Sequence, residues 1–426
     1  MRRISLVAGA VVAGLVLASC GSDGGGEGGG GGEGTGSGEV EVFTWWTEGG
    51  EKAGLDGLVS TFEEQHADFE FVNGAVAGGA GSNAKAVLAS RLQSQDPPDT
   101  FQAHAGEELA DYIQAGQIQD VSSLYDEEGW NDVFPQDVID LLTVDGQIYS
   151  VPANIHRANV VWANPTVLED AGITETPTSI EAWVEDMETL KGNGIEAPLA
   201  VATDWTQVHL FETILISELG PEGYIGLWNG DTDWSSAEVT QALESYETVL
   251  SYTNTDRSGL DWPDAAKYVT DGDAAYTVMG DWTAGAFKDQ GLVDGEDYVW
   301  FPVPGQDGVF DFLADSFTLP VGAPNEEGAR AWLRTVGSPE GQEAFNTAKG
   351  SIPVRTDADP GAYDEYQQAA IEAFAEDTIV PSLAHGAATP VAWLNDISSA
   401  VGQFGSGGDV DQLQQALVTA AETHTG

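Results

Sequence analysis

Between residues 40 and 45 the chain alternates Val-Glu-Val-Phe-Thr-Trp, the two-residue period of a strand with one buried face. The period then changes. Leu55, Leu58, Val59 and Phe62 recur at intervals of three and four, which predicts a helix over 55–66. Phe69 to Val72 reads as the next strand. Residues 82–92 read as a helix offering Ala86, Val87, Ala89 and Leu92 to one side, and 99–102 as a short third strand. Helical material broken by turns follows to about Leu142. Further on, Pro177 precedes Thr178-Ser179-Ile180-Glu181, whose Ser/Thr-x-x-Glu spacing is that of a capping box and predicts a helix through Trp183 and Leu190. Residues 237–252 and 325–336 predict further helices, and 274–279 a strand. No repeat of fixed period is visible. Strand and helix alternate, so the expected class is α/β with more than one lobe, built on a largely parallel sheet covered on both faces.

The start of the chain follows other rules. Arg2 and Arg3 precede an apolar, small-residue run over 4–18, which has the length of a signal core and is too short for a membrane-spanning helix. It ends in Leu17-Ala18-Ser19-Cys20, a small-residue site directly before a cysteine. This is the pattern of a bacterial lipoprotein signal, residues 1–19, in which Cys20 takes the lipid and becomes the mature N-terminus. Cys20 is the single cysteine of the chain, so intrachain disulfides and cysteine-based metal clusters are excluded. Residues 20–38 are mostly glycine and read as a flexible linker. The folded body is therefore expected outside the cytoplasm, tethered to the membrane by a short leash.

Composition narrows the partners. The 426 residues carry 70 Asp and Glu against 14 Lys and Arg, a formal charge of −56, while 42% are hydrophobic. There is ample material for a core, and the length suits two or three folding units. Such a charge repels phosphates, which excludes nucleic acid as a partner and binding through anionic lipid headgroups. The acids are dispersed through the chain, unlike a single acidic interaction tail. At about 1 M salt the Debye length is roughly 3 Å and dispersed like charges cost little, so the pattern reads as adaptation to a salty habitat.

Seven segments together carry a family resemblance. They are Val40-Glu-Val-Phe-Thr-Trp-Trp46, Asp96-Pro-Pro-Asp-Thr-Phe-Gln-Ala-His-Ala-Gly106, Asp145-Gly-Gln-Ile-Tyr-Ser-Val-Pro-Ala-Asn-Ile-His156, Ala274-Ala-Tyr-Thr-Val-Met-Gly-Asp-Trp282, Ala314-Asp-Ser-Phe-Thr-Leu-Pro320, Lys349-Gly-Ser-Ile-Pro353 and Leu383-Ala-His-Gly386. In this order they resemble the extracellular sugar-binding lipoproteins of ABC importers, nearest the glucose/galactose-binding type. The resemblance implies a two-lobed, periplasmic-binding-protein-like (type II) α/β fold with hinge crossings and a ligand cleft. Crossings would fall near Val151-Pro152, Phe301 to Pro304 and Gly350 to Pro353. Lobe one would be 39–151 plus 304–350, and lobe two 152–303 plus 351–426. It also implies a monomer that takes a monosaccharide, most readily glucose, by hinge closure, delivers it to the permease subunits of its importer, and needs no cofactor.

A sugar presents an apolar face that stacks on indole and hydroxyls that favour charged partners, at about 1.5–3 kcal/mol for each charge-assisted bond. Thirteen tryptophans are a generous supply. Trp45 and Trp46 end the first strand, where open α/β sheets bind ligands, and adjacent strand residues face opposite ways, so one can stack while the other packs. Glu48 follows in a Gly-containing loop. Gln102 and His104 alternate after a short strand, as do Asn154 and His156 just past the first crossing, where a hinge-packing role is equally open. Trp262 and Trp282 match stacking positions implied by the resemblance; for Trp205 core packing is as good a reading. Asp315 resembles the family's hydroxyl acceptor at the end of a strand, Lys349 could donate to the sugar while balancing Asp315, and His385 supplies a third polar position. No metal site is indicated by spacing.

Other classes find less support. Acids occur everywhere, so no pair marks a glycosidase. There is no Gly-x-Ser-x-Gly, His-Glu-x-x-His, P-loop or dinucleotide fingerprint, Gly78-Gly-Ala-Gly81 having the wrong spacing. A carbohydrate-active enzyme and a passive surface lectin stand as alternatives, the lectin lacking hinge closure.

Overall fold

The computed structural model describes residues 37–78 and 81–425. The apolar run, Cys20 and the linker up to residue 36 lie outside the described residues. In chain order the strands are β1 (Gly38–Phe43), β2 (Phe69–Asn73), β3 (Thr100–His104), β4 (Thr143–Val144), β5 (Gln147–Ile148), β6 (Ser150–Pro152), β7 (His156–Arg157), β8 (Val160–Ala163), β9 (Leu199–Ala200), β10 (Tyr276–Val278), β11 (Val299–Pro302), β12 (Val309–Leu313), β13 (Asp315–Thr318) and β14 (Thr378–Pro381). They form a five-stranded sheet, β2-β1-β3-β13-β6, a four-stranded sheet, β11-β8-β10-β9, a three-stranded sheet, β14-β12-β7, and the small β4-β5 hairpin.

Among the described residues the buried apolar side chains form two large clusters and a small third around Ala200, Ala265 and Val269, the first reaching across to Trp162 and Trp282. Val40, Val42, Leu55, Leu58, Phe62, Phe101, Phe317 and Trp332 belong to the first. Val161, Trp183, Leu199, Phe211, Tyr246, Tyr276 and Leu417 belong to the second. The fold is thus the two-lobed type II α/β architecture. Among the described residues no helix is long and apolar enough to cross a membrane.

The expected largely parallel sheet is corrected. β1 is parallel to β2 and β3, which are joined through the helices Gly49–Gln65 and Ser82–Gln93. β13, however, runs antiparallel to both β3 and β6. A parallel neighbour needs a crossover connection of a dozen or more residues. β13 instead follows β12 after the single residue Ala314, stepping straight from the third sheet into the first. In the second lobe β8 is likewise antiparallel to β10 and β11. The chain passes between the first sheet and the second and third sheets at three places: at 153–155, at Ala314 rather than the expected 301–304, because β12 still pairs with β14 and β7, and at 350–352, where Ile352 bridges back to Ile155.

Two local readings also change. In the Ser82–Gln93 helix the buried residues are Ala84 and Leu88, while Ala86, Val87 and Ala89 are exposed. Lys85 and Arg91 take part of the inner side, where Lys85 pairs with Glu108 at 2.8 Å and Arg91 grips Glu41 with two bonds of 2.6 and 2.8 Å. Ser179, not Thr178, caps the next predicted helix. It has the extended backbone a cap requires, accepts from the Ala182 N–H, and the helix runs Ile180–Gly192.

Candidate functional site

A cavity of about 310 Å³ lies where the carboxyl ends of β1 and β3 face the second lobe. The first strand positions its rim. Beyond β1, Trp45 turns to the cavity and Trp46 turns inward, its ring 4.7 Å from that of Phe345 and 5.7 Å from that of Phe317. Gly81 lies against Trp45: a Cβ there would stand 2.8 Å from the indole, so glycine lets the chain lie on the ring. From the second lobe come Trp205, near the start of the Asp204–Asn229 helix, and Trp262 and Trp282, each the first residue of its own helix. Asp261 caps the Trp262 helix in a reciprocal bond pair with Asp264, which fixes where Trp262 projects. Gly280 lets the Trp282 ring fold back over the chain, since a Cβ would come within 2.2 Å of it.

The polar floor is built around Asp315. It begins β13 rather than ending a strand, directly opposite His104 in the ladder. Its Oδ1 accepts from Gln102 Nε2 at 2.8 Å, and its Oδ2 from Asn154 Nδ2 at 2.8 Å and from His156 Nε2 at 3.1 Å. Lys349 Nζ lies 3.6 Å from Oδ2 and 3.3 Å from Glu51. Burial works to raise the pKa of Asp315, but Lys349 and the contact with His156 outweigh it and hold the carboxyl well below its ordinary range. His156 also donates Nδ1–H to Asp281 in a very short contact. Burial opposes its charge, but Asp281 prevails and raises its pKa. His104 donates Nδ1–H to Glu108 at 2.8 Å, where Lys85 joins the same oxygen at 2.8 Å. Burial resists ionisation of Glu108, yet Lys85 and His104 bring it down to about 2.

Trp45, Glu48, His104, Trp205, Trp262, Trp282, Asp315, Lys349 and His385 therefore line one cavity. Trp46, Gln102 and Asn154 do not line it. They stand directly behind it, the amides on Asp315 and the Trp46 ring 4.7 Å beneath the Lys349 ammonium. Cys20 lies outside the described residues. The lining also includes Glu51, His156, Asp261, Asp289 and Gln290. Glu51 is one helical turn from Glu48, a spacing that could have found it. Asp281, which sets the state of His156, carries no such signal because the contact spans 125 residues.

Trp205 Nε1 and His385 Nε2 are buried and without a partner among the described residues. Burial and the neighbouring imidazoles push His385 well below the ordinary histidine range, so it is neutral and able both to donate and to accept. Indole faces, unpaired donors and acceptors, and one fixed carboxylate–ammonium pair suit an uncharged polyhydroxylated ligand.

Comparison with known proteins agrees with this geometry. The chain is 34% identical over 423 residues to an uncharacterized ABC transporter extracellular-binding protein of Pyrococcus horikoshii, covering 97% of this chain and 94% of the relative. It is 31% identical over 390 residues to the xylose/arabinose-binding protein XacG of Haloferax volcanii, covering 90% and 84%. The solute receptor AcbH, described as having an exclusive preference for β-D-galactopyranose, superposes with a TM-score of 0.79 at 19% identity, covering 91% of this chain and 98% of that one. The model of the bacterial extracellular solute-binding proteins matches residues 36–343, and the chain belongs to that family.

Proposed function

We propose that this protein captures one monosaccharide, glucose or a close relative, between its lobes and hands it to the permease of an ABC importer. The observation that carries the reading is the meeting of Trp45, Trp205, Trp262 and Trp282 with Asp315, Lys349, His104 and His385 around one cavity. At about 310 Å³ it sits at the small end of the roughly 300–1,000 Å³ range of ligand pockets, which favours one ring over a chain of several. A relative named for xylose and arabinose and a structural neighbour selective for galactopyranose support a pyranose-sized ligand. Indoles stack on its apolar face, Asp315 accepts from hydroxyls, and Lys349 and the histidines complete their hydrogen bonds. Two lobes, divided near residue 152, at Ala314 and near residue 350, close on it, the ligand favouring the closed form by its differential affinity. Cys20 carries the lipid that tethers the monomer to the outer face of the cell membrane. The outcome is capture without chemistry.

Calorimetric titration of the chain at high salt with glucose, galactose, mannose, xylose, arabinose and maltose, with product analysis after overnight incubation, tests this. One-to-one binding of a monosaccharide with no turnover is expected. No binding across the panel, or release of a product, would sink it.

A further inference from the structure

We propose that His209, Glu212 and His385 form a site for one divalent transition-metal ion of the zinc class, behind the inner surface of the cavity. His209 and Glu212 are three residues apart on the Asp204–Asn229 helix, and His385 comes from the turn after β14. All three are buried. One nitrogen of each imidazole and one carboxylate oxygen lie within 4.8 Å of one another. A tetrahedral ion with bonds of about 2.0–2.1 Å keeps its ligands roughly 3.3 Å apart, which ångström-scale side-chain rotation achieves.

The hydrogen bonding prepares these atoms. His209 donates Nε2–H to the Ala158 carbonyl at 2.9 Å, which leaves the lone pair on Nδ1. That nitrogen is buried and unpartnered among the described residues, as is Nε2 of His385. An imidazole with one nitrogen committed to a carbonyl and the other bare is how metal-ligating histidines are held. Glu212 accepts from the Ser382 hydroxyl at 3.0 Å and the Ala384 N–H at 2.8 Å, bonds that orient it. Among the described residues no cation pairs with it. A buried carboxylate in that position keeps a proton or takes an ion.

Two nitrogens and one oxygen select zinc, cobalt or nickel over calcium and magnesium, which want oxygen alone. His385 lines the cavity, which gives the ion a route in and an open coordination position. The site is independent of the sugar reading, but both use His385, so ion and sugar compete for that side chain.

Cobalt(II) is the probe. The full chain carrying Cys20→Ser, so that no thiolate is present, is titrated with Co²⁺ in excess Ca²⁺, which fills oxygen-only surface sites. One equivalent of bound cobalt with a visible d–d band, displaced by Zn²⁺, is expected. His209→Gln keeps an N–H for the Ala158 carbonyl and removes the ligating nitrogen. It should weaken cobalt by more than about 100-fold, beyond the loss typical of an outer partner. In the unsubstituted site the His209 imidazole N–H resonance should show a hyperfine shift, a readout that does not depend on the variant folding. Cobalt that Ca²⁺ abolishes, cobalt that survives His209→Gln at full affinity, or an unshifted His209 resonance at one equivalent would each overturn the site.

Discussion

His156 donates its Nδ1 proton to Asp281, 125 residues further along the chain, and so ties the hinge strand β7 to the start of the Trp282 helix. Its Nε2 lies 3.1 Å from Asp315 and 2.8 Å from the Asn154 amide nitrogen, so the ring sits between two carboxylates. Its pKa is raised, since Asp281 outweighs the burial that would lower it. The linkage sign follows: the stability this group contributes is whole below the unfolded value of about 6.5 and fades as pH rises through the folded value. Unfolding free energy in denaturant titrations should fall between neutral and mildly alkaline pH, by at most about 1.4 kcal/mol per pH unit for one proton. His156→Gln should flatten that slope; an unchanged slope contradicts the assignment.

Asp315→Ala should weaken the sugar by at least about 1.5 kcal/mol, roughly tenfold or more, because a buried charged acceptor is lost and Lys349 and His156 lose their shared partner. Calorimetry reads this directly. Unaltered affinity would remove Asp315 from the proposed contacts.

Trp45 and Trp46 should separate by phenotype. Trp46 is fully buried against Phe345 and Phe317, so Trp46→Ala should cost about 3–5 kcal/mol of stability. Trp45→Ala should instead lose most sugar affinity and much of the ligand-induced fluorescence change at a smaller stability cost. Equal effects of the two on folding and on affinity would contradict the division.

Gly285→Ala should loosen the packing beside Lys349. A Cβ at 285 would stand 2.2 Å from the Lys349 carbonyl, and one at Gly50 would stand 2.7 Å from the Gly285 backbone, so three segments meet there without side chains. Overpacking costs about 1–3 kcal/mol and outweighs the helix-propensity gain of up to about 1 kcal/mol from Ala. Both Tm and sugar affinity should drop; a rise in Tm with affinity intact would show the contact to be compliant.

Salt should stabilise the protein. Moving from about 0.1 to 1 M shortens the Debye length from roughly 10 to 3 Å and relieves repulsion among dispersed acids. Thermal unfolding should shift upward over that range. A flat or falling Tm would assign the acidity to something other than tolerance of salt.

What could be read from the chain was what local spacing carries. Adjacent positions just beyond β1 put Trp45 on the cavity and Trp46 behind it, whereas Gln102 and His104, whose two-residue spacing on β3 led both to be expected in the cleft, part company: only His104 lines the cavity and Gln102 is taken up by Asp315. The inner side of the Ser82–Gln93 helix was misjudged because hydrophobicity skips Lys85 and Arg91, whose partners Glu108 and Glu41 come from other segments. Antiparallel β13 was hidden for a similar reason, since strand direction depends on the one-residue step at Ala314. His209 and Glu212 share a helix face at a spacing of three, but His385 reaches them from a distant segment, and that meeting leaves no signal in the spacing.

Because Gln102, Asn154, His156 and Lys349 converge on Asp315, a change at any one of them disturbs the other three. The rim is wired differently: Asp289 and Gln290 are exposed at the end of the Trp282 helix and support nothing behind them in the floor. Retuning which sugar is accepted should therefore start from Asp289 and Gln290, where substitutions act one at a time, with the Asp315 cluster kept as an invariant chassis.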